Sequence, residues 1–165
     1  MDNETLLGLS NETGKTQFWI KPWGDPDLPA SEKERFTDDE IRLMFAKQPT
    51  GVEIGDILFV HRIKNAKMIF VAEAITHFRI LSPTELIREP NLKRWPWRIE
   101  GKNLTPGLGR WWRECSLKTF TLAAQYNEMN PSDRVNLGSI NRGNDKVRIS
   151  EGFGTFLLDT IIAID

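Results

Sequence analysis

Six tryptophans are the feature of this 165-residue sequence with the clearest chemical meaning: Trp19, Trp23, Trp95, Trp97, Trp111 and Trp112. Any one of them is more often a core residue than a ligand contact. In an extended Trp95-Pro96-Trp97 segment, however, both rings project from one face, and of two adjacent rings only one faces a core. This geometry predicts that some of the rings line a groove or an interface.

Basic side chains are interleaved with these rings: Lys93, Arg94, Arg98, Arg110 and Arg113. Residues 88–118 carry eight basic and three acidic side chains, although the net charge of the whole chain is −1. Aromatic planes that stack on bases, beside guanidinium groups that bind phosphate, are typical of nucleotide-binding surfaces. A protein-interaction surface uses Trp and Arg as anchors too. The pattern therefore predicts binding and leaves both ligand classes open.

The residues that usually carry catalysis are sparse. The two histidines, His61 and His77, fall on and beyond opposite arms of a predicted hairpin, which separates them. Cys115 is the single cysteine and lacks the motif context of a nucleophile. The acids of residues 32–40 fit a helix start better than a metal site. No catalytic residue, metal or cofactor is predicted, and a binding module is favoured over an enzyme.

The start of the chain and its hydropathy bear on location. Residues 1–15 are polar, without the basic start and apolar run of a signal peptide, and are expected to form a flexible lead-in. No apolar stretch approaches the ~20 residues of a membrane span. A cytoplasmic location without membrane contact is predicted.

Apolar patterning predicts short strands at residues 16–23, 57–60, 68–75, 95–99, 117–121 and 147–149. Helices are predicted at residues 37–47, 82–89, 122–129 and 150–162. Two of these open with capping boxes, Thr37-Asp38-Asp39-Glu40 and Ser82-Pro83-Thr84-Glu85, and Ser150 caps the last. Short strands and helices without regular βαβ alternation indicate one α+β domain over residues 1–165, with a small, curved, largely antiparallel sheet.

Five segments, in this order, resemble the PUA-like superfamily and its EVE group: Phe18-Trp19-Ile20-Lys21, the Gly55-Asp56 turn within residues 52–59, residues 69–74, Trp95-Pro96-Trp97-Arg98-Ile99, and Asn141-Arg142-Gly143 before residues 147–150. The family's Lys-Thr-Glu-Pro run reads Lys21-Pro22-Trp23-Gly24 here, and its Trp-Gly-Val-Arg-Asn segment is missing. The resemblance implies a PUA-like curved, partly closed β-barrel with peripheral helices.

The same resemblance implies a nucleic-acid-binding module, on RNA or DNA, that recognises a modified base in an aromatic cage. Its implied cage rings are Trp19, Trp23 and Trp97, with Ser139 and Asn141 at the base edge and Arg142 or Arg98 at a phosphate. Lys21 is a further ligand contact. The alternatives are a protein-interaction or small-molecule module that uses the same cleft, and an RNA hydrolase like the related ASCH domains, with Lys21 as the nearest catalytic candidate.

Overall fold

The computed structural model describes residues 16–24, 38–63, 66–105, 117–141 and 144–163. The strands in these ranges are β1 (Phe18–Trp23), β2 (Glu40–Phe45), β3 (Ile57–Arg62), β4 (Met68–Ala74), β5 (Arg79–Ile80), β6 (Trp97–Asn103) and β7 (Val147–Ile149). The helices are α1 (Pro83–Arg88), α2 (Thr119–Met129), α3 (Gly138–Asn141) and α4 (Glu151–Ile162), with a 3-10 helix at Pro90–Arg94. The predicted α+β class is confirmed. Within these ranges, the helices lack the length and apolar character needed to cross a bilayer.

The strands form one mixed sheet in the order β2-β6-β4-β3-β1-β7, with β5 on β6. β1 runs parallel to β3, and the other pairings are antiparallel. The two ends of this order, β2 and β7, do not pair, so the sheet is open. A partly closed barrel therefore remains a prediction.

Strong curvature brings the distant strands β1 and β2 together. Three strands separate them in the sheet order, yet the Lys21 Nζ of β1 lies 4.2 Å from the centroid of the Phe45 ring on β2. Asp145, just before β7, adds a second link: its Oδ2 accepts hydrogen bonds from the Ala46 and Lys47 amides at 2.7 and 3.1 Å. These contacts lie on the concave side of the sheet, which we call the inner face.

Alternation along β1 divides the core between two sides of the sheet. Phe18 and Ile20 pack with α2 and α4 on what we call the helix-covered face. Trp19, between them in sequence, points to the inner face, as its position predicts. Gly154 of α4 is required by close packing on the helix-covered face, because a Cβ there would overlap the Phe18 ring.

The predicted helix at residues 37–47 is wrong, since Glu40–Phe45 is a strand. Ile41, Leu43 and Phe45 are buried while Glu40 and Arg42 are exposed. This alternation with period two is typical of a half-buried strand. Pairing with β6 along its whole length outweighs the local capping-box signal. Thr37, the expected N-cap, falls outside the described ranges.

The predicted strand at residues 117–121 is also wrong beyond Lys118. Lys118 makes an isolated bridge to Lys67, and α2 begins at Thr119. Tertiary packing explains the change, because Thr119 and Leu122 are buried by the start of this helix.

Other elements are confirmed, including the β3–β4 hairpin, β7 and the capped helices α1 and α4. Within the hairpin, a bulge after Val60 shifts the register by one residue. His61 consequently lies opposite Met68 and not opposite Ile69.

Candidate functional site

A cavity of about 380 Å³ opens where β1 and β2 end on the inner face. It is lined by the end of β1 and its turn (residues 21–24), the end of β2, the residue after β3, the segment before β6, α3, and the loop before β7. Its apolar contributors are Pro22, Met44, Ala46, Ile63, Leu92 and Ile140. Its aromatic and polar contributors are Lys21, Trp23, Arg94, Trp95, Asn144 and Asp145.

Two half-buried tryptophans reach this cavity from different elements. Trp23 ends β1 and packs edge-on against Phe70, with ring centroids 5.4 Å apart. Trp95 follows the 3-10 helix, and the guanidinium carbon of exposed Arg94 lies 5.1 Å from its ring centroid. Two aromatic rings, one of them with a guanidinium over its face, suit a planar ligand that carries negative charge nearby.

Lys21 is the most unusual group in the cavity wall, because it is an ammonium that is only 3% exposed. Its Nζ donates to the Pro22 carbonyl at 3.3 Å and lies over the Phe45 ring. Burial lowers the pKa of Lys21 to about 8, and the negative charge of Asp145 opposes that effect. At neutral pH the side chain therefore stays largely protonated.

Asp145 supplies the negative charge of the same wall. One carboxylate oxygen, Oδ2, is held by the Ala46 and Lys47 amides. The cavity thus presents an ammonium donor and a carboxylate acceptor among apolar and aromatic side chains.

Of the residues predicted from sequence, Lys21 and Trp23 lie in the cavity wall. Trp19 does not: it is 5% exposed, and its Nε1 donates to Asp56 Oδ2 at 2.9 Å. The Lys146 Nζ lies 4.7 Å from its ring centroid. This burial favours a core role for Trp19 over a place in a cage.

Trp97 and Arg98 also lie outside the cavity lining. Trp97 packs edge-to-face on Phe78, with ring centroids 5.8 Å apart. Arg98 is bound by two carboxylates, Glu85 at 3.4 Å and Glu100 at 2.5 Å, which leaves it poorly suited to a phosphate. The expectation that Trp95 and Trp97 share one face is wrong, because Trp95 has ψ 69° and the strand begins only at Trp97.

The remaining predicted residues, Ser139, Asn141 and Arg142, lie in the sequence within α3 or directly after it. Ser139 is half-buried, and its carbonyl accepts from the Asn144 amide at 3.1 Å, beside Ile140 in the wall. The Asn141 side chain and Arg142 fall outside what the structure describes, as do Arg110 and Arg113. The basic residues of the stretch 88–118 are therefore only partly within the described ranges.

Sequence reasoning missed Trp95 and Asp145 as wall residues. For Trp95 a signal existed, because Pro90 and Pro96 bracket a short segment that was unsuited to a regular strand. Asp145 had none, since its partners Ala46 and Lys47 are almost one hundred residues away along the chain.

His61, another buried basic residue, lies on the helix-covered face beside α2. It is fully buried, with Nδ1 2.9 Å from Thr119 Oγ1. Burial lowers the pKa of His61 to about 4, with a smaller contribution from the charge of Lys21. In the described part of the chain, no three His, Cys, Asp or Glu side chains are grouped so as to hold a metal ion.

No protein-family model and no curated protein matches the sequence. A solved structure, human THYN1 protein in complex with 5-methylcytosine containing DNA, is similar over 88% of this chain and 97% of that chain. The TM-score is 0.56 and the sequence identity is 8%, so the likeness concerns the fold. The chain has the EVE-domain-like, PUA-like fold that its sequence predicts.

Proposed function

We propose that this protein binds nucleic acid and accepts a single unstacked base in the cavity beside Trp23 and Trp95. The proposal rests on one observation: two half-buried tryptophans, Trp23 and Trp95, line the same cavity together with Arg94. The similar human protein, solved with DNA that contains 5-methylcytosine, supports the same class of ligand. In this proposal Trp23 and Trp95 supply stacking, and Arg94 supplies a cation for the adjacent phosphate.

The size and energetics of the cavity suit this role. Its volume of about 380 Å³ lies at the lower end of the ~300–1,000 Å³ typical of small-molecule sites. Unstacking a base costs a few kcal/mol, and stacking on an aromatic side chain returns ~1–3 kcal/mol per base. Two rings together with a phosphate contact are therefore enough to offset the cost of extrusion.

The apolar part of the wall favours a methylated base within this proposal. Met44, Ile63 and Leu92 offer apolar surface to a methyl group. Burying one such group contributes about 0.8 kcal/mol, which corresponds to about a fourfold gain in affinity. A methylated base should accordingly bind somewhat more tightly than its unmethylated parent.

The test compares Trp23→Ala and Trp95→Ala with a matched control, Trp97→Ala, which removes a half-buried ring outside the cavity. Binding to short single-stranded DNA and RNA oligonucleotides, each with one cytosine or 5-methylcytosine, is measured by fluorescence anisotropy. We expect the two cavity variants to lose roughly ten- to a hundredfold in affinity. The control should keep the parent affinity.

Thermal melts of the three variants separate ligand contacts from folding. If W23A and W95A remain folded and bind as the parent does, the base lies elsewhere. If the parent binds none of the oligonucleotides at low salt, nucleic-acid binding itself is wrong.

A further inference from the structure

Lys21 is under-satisfied as a hydrogen-bond donor. An ammonium carries three N–H donors, and the Pro22 carbonyl is the one hydrogen-bond acceptor for Nζ within the described ranges. Its contact with the Phe45 ring compensates part of the lost hydration. Because the side chain is 3% exposed, water does not supply the rest freely. The wall of the cavity therefore holds donors that a ligand can satisfy.

Asp145 offers the complementary group. The Ala46 and Lys47 amides fix its carboxylate through Oδ2. Its second oxygen, Oδ1, accepts no hydrogen bond from the residues that the structure describes. Since two backbone amides hold the group in place, Oδ1 is an acceptor whose position is set before a ligand arrives.

We infer that Lys21 and Asp145 recognise the hydrogen-bonding edge of the bound base, and that the cavity prefers a base with an exocyclic carbonyl oxygen and an N–H donor over adenine. The inference rests on the function proposed above and adds a specificity to it. Lys21 donates to the carbonyl oxygen, and Asp145 accepts from the N–H or NH₂ group.

The preference for a carbonyl follows from the acceptor geometry of the bases. A carbonyl oxygen has two lone pairs and stands away from the ring, so it can accept two of the ammonium's N–H groups. Adenine offers only ring nitrogens, each with one lone pair in the ring plane. Adenine would leave Lys21 with an unmet donor in a buried site, which costs affinity.

A matched pair of ligands isolates this preference. Hypoxanthine and adenine have the same ring system and size, but at position 6 hypoxanthine carries a carbonyl and adenine an amino group. Each is placed once in otherwise identical oligonucleotides, and dissociation constants are measured at pH 7. We expect the hypoxanthine ligand to bind roughly ten- to a hundredfold more tightly, the range for a hydrogen bond to a charged group.

Two variants assign the preference to its residues. Lys21→Met keeps the length and apolar contact of the side chain and removes its donors, so the preference should fall to within about threefold. In Asp145→Asn, the side-chain oxygen should accept the hydrogen bonds of the Ala46 and Lys47 amides, as Oδ2 of Asp145 does. The NH₂ group would then face the ligand in place of Oδ1. That variant should lose affinity for both ligands, because the N1–H group of hypoxanthine and the amino group of adenine would each face another donor.

The outcomes separate this inference from the proposed function. Equal binding of the two ligands by the parent, or a preference that survives in K21M, overturns the edge recognition while leaving base binding intact. Failure of the parent to bind either oligonucleotide overturns the proposed function itself. Melting curves accompany both variants, and K21M is expected to be at least as stable as the parent.

Discussion

The two faces of the sheet are built from alternate residues of the same strands, yet they end in different structures. On the helix-covered face, Phe18, Ile20 and Phe59 meet the apolar side chains of α2 and α4. On the inner face, Trp19, Leu58 and Val60 meet Phe45 and other residues of the sheet itself. One face is covered by helices, and the other is covered by side chains of the curved sheet itself.

This difference explains where the cavity lies. A helix that packs on a sheet can lie closer to it or farther from it, and Gly154 lets α4 approach the Phe18 ring closely. Strands of one curved sheet are held at fixed spacing by their hydrogen bonds and cannot move closer to fill a gap. A cavity is left where β1 and β2 end. The inner face also retains a buried ammonium there, Lys21, whose burial lowers the stability of the folded protein.

The largest effect is expected on the helix-covered face. Phe153 of α4 is fully buried there, packed against Tyr126 with ring centroids 5.3 Å apart. Phe153→Ala should lower the free energy of unfolding by ~3–5 kcal/mol, through lost burial and a cavity. Urea unfolding at 25 °C measures this loss, with Ile87→Ala as control, because Ile87 is 78% exposed and should change stability by less than ~0.5 kcal/mol.

Folded F153A protein should bind oligonucleotides as the parent does, because Phe153 is not among the residues that line the cavity. A selective loss of affinity in the folded variant would show that packing on the helix-covered face affects the cavity.

A second prediction concerns the buried ammonium of the inner face. The pKa of Lys21 is lowered from 10.5 to about 8, so between pH 8 and 10.5 the unfolded chain binds more protons at this residue than the folded protein does. Stability from this group therefore rises with pH across that window. At about 1.4 kcal/mol per pH unit, the full rise is about 3 kcal/mol.

Lys21→Met should abolish this contribution. The difference in unfolding free energy between K21M and the parent should favour K21M below pH 8 and shrink as pH approaches 10.5. Subtracting the two curves removes other titrating groups, including Lys146, whose pKa burial also lowers. A pH-independent difference would mean that Lys21 is well solvated in the folded protein.

Much of the fold could be predicted because its signals are local. The alternation in Phe18-Trp19-Ile20, the two apolar runs of the hairpin and the capping box at Ser82 each depend on neighbouring residues. The helix predicted over residues 40–45 was wrong because Thr37 to Glu40 matches a capping box. The structure of this segment is instead determined by its pairing with β6, over fifty residues away. Local patterns cannot report such pairing.

The candidate site was less predictable for the same reason. Lys21 and Trp23 come from the strand that carries the resemblance to EVE domains, and they lie in the cavity wall. Trp19 is hidden by its contact with Asp56, a partner that the order of residues does not reveal. Trp95 and Asp145 reach the cavity only through the 3-10 helix and the link to β2.

The smallest expected effect compares two serines with the same local role. Ser150 caps α4, where its Oγ accepts from the Phe153 amide at 3.2 Å and donates to Asp133 at 2.8 Å. Ser82 caps α1 by accepting from the Glu85 amide, also at 3.2 Å. Loss of an N-cap costs ~0.5–2 kcal/mol where the helix unfolds with the rest of the protein.

The two helices differ in what they bury. α4 contributes buried residues to the helix-covered face, whereas α1 has none. The ion pair of α1 between Glu85 and Arg79 is exposed, and such pairs contribute little to stability. We expect Ser150→Ala to cost about 1–2 kcal/mol of global stability in urea unfolding. Ser82→Ala should cost less than about 0.5 kcal/mol and appear instead as faster amide hydrogen exchange within α1. Equal global losses would show that α1 unfolds together with the sheet, because a cap can lower global stability only through a helix that belongs to the cooperative unit.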